Sequence, residues 1–506
     1  MKNILELLEA TAARIPDKTA VIDENGACCW QELLQNSESA GTALAARLSP
    51  CTPVPILMEK GCQALIAFFG AVQAGCFYVP LNPALPEARL RKILDTVRAP
   101  VIITDRANQA IAARLAPAPD ILLIEDLIGM PSNPAALARI RADLTDADPL
   151  YCLFTSGSTG IPKGVVISHR SVLAFIPDFA SLFGIREHDV IGNQAPFDFD
   201  VSVKDIYAAV QTGATLVIIP RRLFSQPAEL LDFLCRHRIT SLTWAVSALC
   251  LVSALHGLDY RTPDSVRRVL FSGEVMPPAH LRRWMQALPH ADFVNLYGPT
   301  EITCNCTYHR IERENECTAG LPLGKAFPNA RVFLLDGADQ EITQPDTVGE
   351  ICVGGAGLAL GYYNAPEQTA HAFVQHPANA CYTERIYRTG DLARYDRNGN
   401  LHFCGRKDFQ IKHMGHRIEL EEIERVVTAL DGASQCCCVF DEQKSRLHAF
   451  YTGTAESAAL YEQLSRQLPV FMLPRTLERL AQMPLTNNGK TDRRRLLAIA
   501  RREAAA

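Results

Sequence analysis

The sequence lacks the clustered positive charge that a nucleic-acid-binding surface needs. The chain of 506 residues carries 50 Lys and Arg against 55 Asp and Glu, which gives a formal net charge of -5. Binding to nucleic-acid phosphates requires Lys and Arg gathered into a stripe or a patch, and no such stripe stands out. We therefore expect no nucleic-acid partner.

The sequence also lacks an export signal and a membrane span. The first residues carry Glu6 and Glu9 within an apolar pattern and have no small-residue cleavage site, as is typical of an amphipathic helix. One uncharged stretch, residues 64–81, contains Gly70 and Pro80, which favours a buried helix running into a buried strand. We therefore expect no membrane anchor and no membrane partner.

Cysteine is abundant, but its spacing excludes a disulfide framework. The 17 cysteines are scattered through apolar stretches, without the dense and even spacing of small secreted domains. Cys304 with Cys306, and the run Cys436, Cys437, Cys438, have no second Cys or His pair at the spacing of a zinc site. We interpret these residues as buried thiols and expect a reducing, cytoplasmic location.

The length and the order of segments predict an α/β protein of more than one domain. A chain of 506 residues exceeds what one hydrophobic core usually supports. Between residues 56 and 220, helical patterns alternate with short apolar runs, for example at 101–104 and 215–220. This alternation predicts a parallel sheet covered by helices on both faces.

After residue 321 the sequence pattern changes to short segments separated by turn-forming residues. Short segments such as 330–335, 349–354 and 400–404 are bounded by Gly, Asn, Asp or Pro, which indicates antiparallel strands. An acid-rich amphipathic helix is predicted at residues 419–430. About a hundred residues at the end of the chain are therefore expected to form a compact unit of their own.

The most informative motif is a loop rich in glycine and hydroxyl groups, TSGSTGIPKG at residues 155–164, directly after an apolar run. Its backbone can approach a polyphosphate closely, its N–H and O–H groups can donate to phosphate oxygens, and Lys163 supplies positive charge. It differs from the P-loop of common NTPases, which requires Gly-Lys-Ser/Thr, because Pro162 precedes the lysine and Gly164 follows it. The predicted phosphate ligands besides Lys163 are Thr155, Ser156, Gly157, Ser158 and Thr159.

Further motifs follow in order along the chain: NLYGPTE at 295–301, YRTGD at 387–391, GRKDFQIKHMGHRIELEEIE at 405–424 and NNGKTDR at 487–493. Together with the phosphate loop, they resemble the motifs of the adenylate-forming superfamily over essentially the whole chain. The sequence looks most like the amino-acid adenylation domains of nonribosomal peptide synthetases and the stand-alone D-alanine:carrier-protein ligases.

The resemblance implies a specific domain organisation. Residues 1–407 would form a large adenylation core of parallel sheets covered by helices, with a small β-barrel-like part. Residues 408–506 would form a small, mobile α+β domain that turns about a hinge at Asp408. It would present Lys490 for adenylation and the segment of Lys412 for thiol transfer. A hinge at an element boundary lets few residues absorb a large backbone change.

The resemblance also implies roles in nucleotide binding. Adenylation joins a carboxylate to the α-phosphate of ATP and releases pyrophosphate, so the site must bind the nucleotide and neutralise two anions. Tyr297 would stack on adenine beside Asn295, Gly273 and Glu274 would line the other side of the base, and Asp391 would accept from the ribose hydroxyls.

The resemblance also implies which residues would bind Mg²⁺, the phosphates and the substrate carboxylate. Glu301 would bind Mg²⁺ as a hard oxygen ligand, with Thr300 on the phosphate. Lys490 would bridge the substrate carboxylate and the α-phosphate as the main catalytic residue. Phe403 and Arg406 complete the expected nucleotide-binding set.

The segment FDFDVSVKD at residues 197–205 resembles the amino-acid-pocket motif of these enzymes. The register places Asp200, rather than Asp198, where an acidic residue would pair the α-ammonium group of the substrate. This favours amino acids over fatty or aryl acids. One further pocket position falls between Thr243 and Ser247 and stays open. The pocket would be lined by Val201, Lys204, Leu270, Ser272, Leu296, Cys304 and Asn305, a set similar in large part to pockets for small polar amino acids such as serine.

Lys204 departs from that pattern, which usually has a large apolar or aromatic residue at this position. A buried ammonium group is costly unless it is paired. In one interpretation Lys204 receives an acidic or phosphorylated substrate side chain. In the other it points away from the pocket and pairs with a neighbour such as Asp205.

The expected function is ATP-dependent activation of a small amino acid, either small and polar or acidic, followed by thioester transfer to the phosphopantetheine of a carrier protein. The sequence shows no carrier-type serine motif after Arg495 and no His-His condensation motif before Thr155, so we expect the carrier on a separate polypeptide. One alternative is an acyl-CoA synthetase, against which stand Asp200 and the form of the 405–424 motif. A second alternative, a non-catalytic protein on a decayed fold, predicts losses at Lys490, Glu301 or Asp391, yet all three residues are present.

Overall fold

The computed structural model describes residues 1–115, 120–157, 160–312, 320–486 and 490–502. The chain divides into two compact units. The large unit comprises Met1–Asn82, Val97–Leu153 and Val165–Lys407, and the small unit comprises Pro83–Thr96, Phe154–Gly164 and Asp408–Ala506. The small unit thus includes two segments from the first third of the chain in addition to the carboxy-terminal region. A hinge motion about Asp408 stays a prediction.

The α-helices share no single pattern, because some are amphipathic and others are buried on all sides. They are α1 Leu5–Arg14, α2 Trp30–Ala45, α3 Cys62–Gln73, α4 Glu87–Val97, α5 Gln109–Leu115, α6 Ile124–Ile128, α7 Pro134–Asp143, α8 His169–Phe183, α9 Val201–Thr212, α10 Pro227–Arg236, α11 Val246–Ala254, α12 Gly257–Tyr260, α13 Pro278–Ala287, α14 Pro366–Ala372, α15 Leu420–Thr428, α16 Ser457–Ser465 and α17 Arg493–Arg501. In the part of the chain that the structure describes, no helix is both long enough and apolar enough to span a bilayer.

The strands are short, as expected for sheets built from alternating units. They are β1 Thr19–Asp23, β2 Gly26–Cys29, β3 Pro53–Leu57, β4 Phe77–Leu81, β5 Val101–Thr104, β6 Asp120–Leu123, β7 Pro149–Thr155, β8 Lys163–Ser168, β9 Val190–Asn193, β10 Thr215–Ile218, β11 Ser241–Ala245, β12 Arg268–Ser272, β13 Asp292–Tyr297, β14 Thr307–Arg310, β15 Lys325–Ala326, β16 Ala330–Leu335, β17 Glu341–Ile342, β18 Gly349–Gly355, β19 Gly361–Tyr362, β20 Phe373–Gln375, β21 Arg385–Tyr395, β22 Leu401–Arg406, β23 Gln410–His413, β24 His416–Glu419, β25 Ala433–Asp441, β26 Arg446–Gly453 and β27 Thr476–Arg479.

The sheets of the large unit combine parallel centres with antiparallel edges. One has the strand order β15-β14-β13-β12-β11-β9-β10-β1-β2, and another the order β19-β8-β7-β4-β3-β5-β6. The pairs from β9 to β13 are parallel, whereas β1 with β2 and β13 with β14 are antiparallel. The turn-rich region forms a further antiparallel sheet with the order β17-β16-β18-β21-β20, in which β22 also pairs with β21. The predicted α/β class is confirmed, as a fold of mixed sheets.

The strands β11, β12 and β13 form the centre of the sheet that carries the predicted pocket. Their sequences, SLTWA, RVLFS and DFVNLY, are rich in apolar and aromatic residues, and nearly every residue in them is buried. Continuous burial on both faces is the mark of a parallel strand covered by helices on either side.

Helix α9 is buried along nearly its whole length. Its sequence VSVKDIYAAVQT is buried from Val201 to Val210, as expected for a helix enclosed on all sides. It ends at Gly213, whose φ of 82° is the left-handed conformation that glycine adopts at little cost after a helix. Lys204, one turn into this helix, is therefore a charged residue in an apolar setting.

The small unit has its own core. The strands β23 and β24 form a hairpin through Met414 and Gly415, whose φ values of 53° and 79° are those of a tight two-residue turn. Helices α15 and α16 pack with the strands β25, β26 and β27 around buried residues that include Ile423 and Tyr451.

Candidate functional site

Strands β12 and β13 place predicted pocket residues on one face of the sheet. Leu270 pairs with Val294 in the register of these strands, and side chains alternate between the two faces along a strand. Leu270, Ser272 and Leu296 therefore point to the same side, and all three are buried. We call this side the pocket face.

The register of β11 narrows the pocket position that the sequence left open. Ala245 pairs with Ser272, so it belongs to the pocket face, and so does Thr243, two residues earlier. Trp244 points to the opposite face, where its indole N–H donates to the carbonyl of Gly192 at 2.9 Å. The open position is therefore reduced to Thr243 or Ala245 within this strand.

Lys204 presents a buried ammonium group to the pocket face. The residue is 1% exposed, and its Nζ donates to Asn305 Oδ1 at 2.8 Å and to Ser272 Oγ at 3.4 Å. Burial lowers the pKa of Lys204 from its ordinary value. Of the two predicted orientations, the structure has the one directed at other predicted pocket residues; no ion pair joins Lys204 to Asp205 among the described side chains.

Asp200 lies immediately before α9 and is 9% exposed. Its Oδ2 accepts a hydrogen bond from the Thr300 hydroxyl at 2.8 Å, and its carbonyl oxygen accepts one from the Cys304 thiol at 3.2 Å. The residue predicted to bind an α-ammonium group is therefore in direct contact with the residue predicted to bind phosphate.

The backbone at Thr303 and Cys304 is held in an unusual conformation. Their φ values are 59° and 71°, and positive φ is rare for residues other than glycine, above all for a β-branched threonine. The Thr303 hydroxyl donates to the Gly357 carbonyl at 2.8 Å, and the Asn305 N–H donates to the Thr303 carbonyl at 3.0 Å. These bonds fix the path of the chain at Asn305, the partner of Lys204.

Glu301 is fully buried and oriented. Its Oε1 accepts a hydrogen bond from the Tyr362 hydroxyl at 2.8 Å. Mg²⁺ in nucleotide sites usually takes one or two carboxylates and fills its other positions with water and phosphate oxygens, so one oriented carboxylate suits the ion. Over the described ranges, no three or more His, Cys, Asp and Glu residues gather as an all-protein metal cage.

Tyr297, Asp391 and Arg406 form one buried network. The Tyr297 hydroxyl donates to Asp391 Oδ2 at 2.6 Å, and the Arg406 guanidinium pairs with Oδ1. Burial, together with the charge of Asp391, raises the pKa of Tyr297 well above its ordinary value, so its hydroxyl stays a donor. A carboxylate has about four acceptor positions, which leaves Asp391 with acceptor capacity for ligand hydroxyls.

The large unit also contains the other residues that were predicted to bind the nucleotide. Asn295 shares β13 with Tyr297, and its Nδ2 donates to the Pro322 carbonyl at 2.8 Å. Gly273 has a φ of 100°, which lets the chain bend after β12. Glu274 accepts from the Ser247 N–H at 3.1 Å, at the start of α11. Phe403 is 40% exposed on β22.

The phosphate loop lies in the small unit, where carboxylates meet its donors. The Gly157 N–H donates to Glu422 Oε2 at 3.3 Å, and Lys163 Nζ lies 3.7 Å from Glu419 Oε1. A Cβ at Gly157 would lie 2.1 Å from the Ile161 carbonyl oxygen, so only glycine fits there.

Two hydroxyl residues of the loop are described and two are not. The Ser156 hydroxyl donates to the Arg417 carbonyl at 2.8 Å. Thr155 ends β7, and its Oγ1 is buried without a hydrogen-bond partner among the described residues. The predicted ligands Ser158 and Thr159 lie outside the described residues.

The remaining predicted residues of the small unit are more exposed. Asp408 is exposed, and its Oδ1 accepts from the Gln410 N–H at 3.2 Å. Lys412 lies on β23 and is half-buried. Lys490 is exposed, and its backbone N–H donates to the Thr486 hydroxyl at 3.3 Å.

The sequence interpretation missed a buried polar chain next to the pocket. Lys60 Nζ donates to the carbonyls of Asn193 and Gln194 at 3.2 and 2.8 Å, and Asn193 Nδ2 donates to Asp205 Oδ2 at 3.0 Å. Burial lowers the pKa of Lys60 to about 7 and raises that of Asp205 to about 7. A lysine three residues after an apolar strand, and an aspartate inside an apolar helix, are the signals that could have identified them. Tyr362, the partner of Glu301, gave no comparable signal.

Comparison with known proteins identifies the family. Residues 8–363 match the family of AMP-binding enzymes. One of the mycosubtilin synthase polypeptides of Bacillus subtilis is 34% identical over 98% of this chain, which spans only 19% of that protein. Zwittermicin A synthase ZmaJ of Bacillus cereus is 32% identical, over 98% of this chain and 95% of ZmaJ.

A solved structure has the same fold over nearly the whole chain. The holo form of PA1221, a nonribosomal peptide synthetase protein containing adenylation and PCP domains, superimposes with a TM-score of 0.84 at 27% identity. The match covers 98% of this chain and 84% of PA1221. The chain therefore belongs to the AMP-binding enzymes, as an adenylation domain of the nonribosomal peptide synthetase type.

Proposed function

We propose that this protein activates a small amino acid with ATP as its aminoacyl-AMP and then transfers the aminoacyl group to the phosphopantetheine thiol of a separate carrier protein. The observation that carries the proposal is the hydrogen bond between Asp200 and Thr300. It joins a nearly buried carboxylate, suited to an α-ammonium ion, to a hydroxyl next to the predicted magnesium ligand Glu301.

Recognition of the amino acid would begin at Asp200. A carboxylate that is 9% exposed interacts strongly with an ammonium ion, because little water competes for either group. The hydroxyl of Thr300 orients one oxygen of this carboxylate before any substrate arrives. Fatty and aryl acids have no ammonium group to pair with Asp200, so they would bind less well.

Recognition of the nucleotide would depend on the Tyr297, Asp391 and Arg406 network. Tyr297 and Arg406 hold the two oxygens of Asp391 in place, so that its remaining acceptor positions could receive the two ribose hydroxyls. The ring of Tyr297 and the backbone bend at Gly273 would border the base.

In the adenylation step, a carboxylate oxygen of the amino acid attacks the α-phosphorus of ATP. A new O–P bond forms, the bond between the α-phosphorus and its bridging oxygen breaks, and pyrophosphate leaves with the electron pair. Lys490 would neutralise the charge that develops between the carboxylate and the α-phosphate. Glu301 would hold Mg²⁺, which would neutralise phosphate charge when bound.

In the transfer step, the carrier thiolate attacks the carbonyl carbon of the aminoacyl-AMP. A C–S bond forms, the C–O bond to the phosphate breaks, and AMP leaves. The proposed hinge at Asp408 would exchange Lys490 for the segment of Lys412 between the two steps. The presence of adenylation and PCP domains together in PA1221 supports a carrier as the acceptor.

The proposal is tested by amino-acid-dependent exchange of labelled pyrophosphate into ATP, measured for the proteinogenic amino acids and D-alanine. We expect exchange with a small subset of amino acids and a decrease of about 10²- to 10³-fold in Lys490→Ala, as for the loss of one transition-state contact. Lys444→Ala, an exposed lysine of the same unit, is the matched control and should leave the exchange rate unchanged.

Carrier transfer needs its own measurement. A holo-carrier protein incubated with enzyme, ATP and the accepted amino acid should gain the mass of the aminoacyl group, and the apo-carrier should not. Exchange with simple carboxylic acids, together with acyl transfer to coenzyme A and no exchange with any amino acid, would contradict the proposal in favour of an acyl-CoA synthetase.

A further inference from the structure

We infer that Lys204 selects an amino acid whose side chain ends in an anionic group, and that this group forms an ion pair with Lys204 Nζ. This inference rests on the proposed function, because it assigns the side-chain end of the same amino-acid site. It decides between the small polar and the acidic substrates that the sequence leaves open.

The ammonium group of Lys204 has two hydrogen-bond acceptors among the described residues. An ammonium group has three N–H donors, and the contacts of Lys204 Nζ are Asn305 Oδ1 at 2.8 Å and Ser272 Oγ at 3.4 Å. Both acceptors are neutral, and both belong to the predicted pocket. One donor is thus available to a ligand that enters between these side chains.

Burial makes the positive charge of Lys204 energetically costly. Lys204 is 1% exposed, and a buried ammonium group without an anion is strongly unfavourable relative to an apolar side chain of the same length. Its two hydrogen-bond acceptors hold it in place but carry no charge. A ligand that brings an anion would supply the missing interaction.

Two carboxylates, those of Asp200 and Asp205, act electrostatically on Lys204. Asp200 is assigned to the α-ammonium group, and Asp205 bonds to Asn193, the residue that also accepts from Lys60. Burial raises the pKa of Asp205 to about 7, which weakens it further as a counter-ion. Among the described residues neither carboxylate bonds directly to Lys204, so an acidic substrate side chain would bring the anion that contacts it.

Much of the wall of the predicted pocket is apolar. Leu270, Leu296 and Val201 are buried apolar residues of the predicted pocket, so they offer an anionic group no hydrogen bonds. Lys204, with its acceptors Ser272 and Asn305, is therefore the polar end toward which the substrate side chain would extend. A neutral side chain would leave the ammonium group without a counter-ion.

The test compares acidic amino acids with neutral partners of matched shape in pyrophosphate exchange by the unmodified protein. The pairs are aspartate with asparagine, glutamate with glutamine, and O-phosphoserine or cysteate with serine. We expect one acidic member to exceed its neutral partner by about 10²-fold or more in kcat/KM, as for the loss of one partner of a buried charge pair. The pair that shows this difference distinguishes a carboxylate from a phosphate or a sulfonate.

The variant Lys204→Met removes the charge and keeps the length of the side chain. We expect KM for the acidic amino acid to rise by about 10²-fold and the preference over its neutral partner to disappear. KM for ATP should stay unchanged, because the nucleotide residues are not altered. Lys204→Arg, which keeps the charge, should retain part of the acidic preference, and thermal unfolding of each variant checks that it is folded.

The outcomes separate this inference from the proposed function. Exchange with serine or another neutral amino acid, and none with any acidic one, would overturn the role of Lys204 and leave the proposed function intact. A Lys204→Met variant that keeps the acidic preference would overturn it as well. No exchange with any amino acid would instead overturn the proposed function, and this inference with it.

Discussion

Arg89 of the small unit and Lys204 of the large unit are both buried cations, but their partners differ in charge. In the small unit, Arg89 Nη1 lies 2.7 Å from Glu422 Oε1, with side-chain exposures of 7% and 2%. In the large unit, the buried ammonium of Lys204 meets the neutral oxygens of Asn305 and Ser272. A buried cation with its own carboxylate has its counter-ion in the folded chain, whereas the proposal made for Lys204 assigns that part to a ligand.

The largest expected effect is a loss of stability when the buried ion pair of Arg89 is removed. Arg89→Met leaves Glu422 as a buried carboxylate without its counter-ion, which costs about 3–5 kcal/mol of the free energy of unfolding. Urea unfolding, followed by hydrogen exchange in peptides from α15, measures the loss. Arg91→Met, an exposed arginine on the same helix, is the control and should change stability by less than about 0.5 kcal/mol. Equal losses in the two variants would show that the Arg89 pair is not structural.

A buried group that stays neutral gives a third case for this comparison. His169 is fully buried, its Nδ1 accepts from the Ile4 N–H at 3.1 Å, and burial lowers its pKa to about 4. Below the ordinary pKa of 6.5, His169 is protonated in the unfolded chain but stays neutral in the folded chain. The free energy of unfolding therefore falls as the pH decreases toward 4. The contribution is at most about 3 kcal/mol.

The measurement is the thermal midpoint against pH for the unmodified protein and His169→Gln. The glutamine can still accept from Ile4 but does not titrate, so the decrease between pH 6.5 and 4 should become smaller. His290→Gln changes an exposed histidine and should leave the curve unaltered. An unchanged pH dependence in His169→Gln would rule out this histidine as its cause.

The same comparison of charged and neutral partners can be made for a buried anion. The carboxylate of Asp391 accepts from one charged donor, Arg406, and from one neutral donor, Tyr297. Tyr297→Phe removes the neutral donor and keeps the ring and the Arg406 pair. We expect KM for ATP to rise about 10-fold, which corresponds to about 1.4 kcal/mol for a hydrogen bond to a charged group. Tyr260→Phe removes an exposed hydroxyl and should leave KM unchanged. A change in the KM for the amino acid alone would place the Tyr297 contact outside nucleotide binding.

The smallest expected effect is the change in stability caused by Lys204→Met. The variant removes a desolvated charge but leaves Asn305 and Ser272 without their donor, and these two contributions oppose each other. We expect the free energy of unfolding to change by less than about 1 kcal/mol. A loss as large as that of Arg89→Met would mean that Lys204 serves the fold, and it would remove the contrast between the two units.

Local patterns made much of the fold predictable. The apolar run at residues 101–104 is β5, the segment 330–335 is β16, and the helix expected at 419–430 is α15, Leu420–Thr428. These elements depend on the periodicity of neighbouring residues. The composition of the small unit was not predictable in this way, because Arg89 and Glu422 are 333 positions apart and leave no local signal.

The candidate site shows the same limit. The resemblance of the motifs to a known family selected Asp200, Glu301 and Asp391, and the structure gives each a specific hydrogen-bond partner. The orientation of Lys204 was not predictable, since a helix residue can face any of several neighbours. The pairing of β11 with β12 was needed to restrict the open pocket position, because register is a property of two strands rather than of one segment.

The alternation along β12 has a consequence for how such a protein changes over time. Leu270 and Ser272 face the pocket, while Phe271 between them packs in the core on the other side of the sheet. Neighbouring residues of this strand are therefore expected to be under different selection, one for its contact with the ligand and the next for its packing in the core. Under the proposed assignment, substitutions at every second residue of β12 would change the contacts with the substrate and leave the core on the other face unaltered.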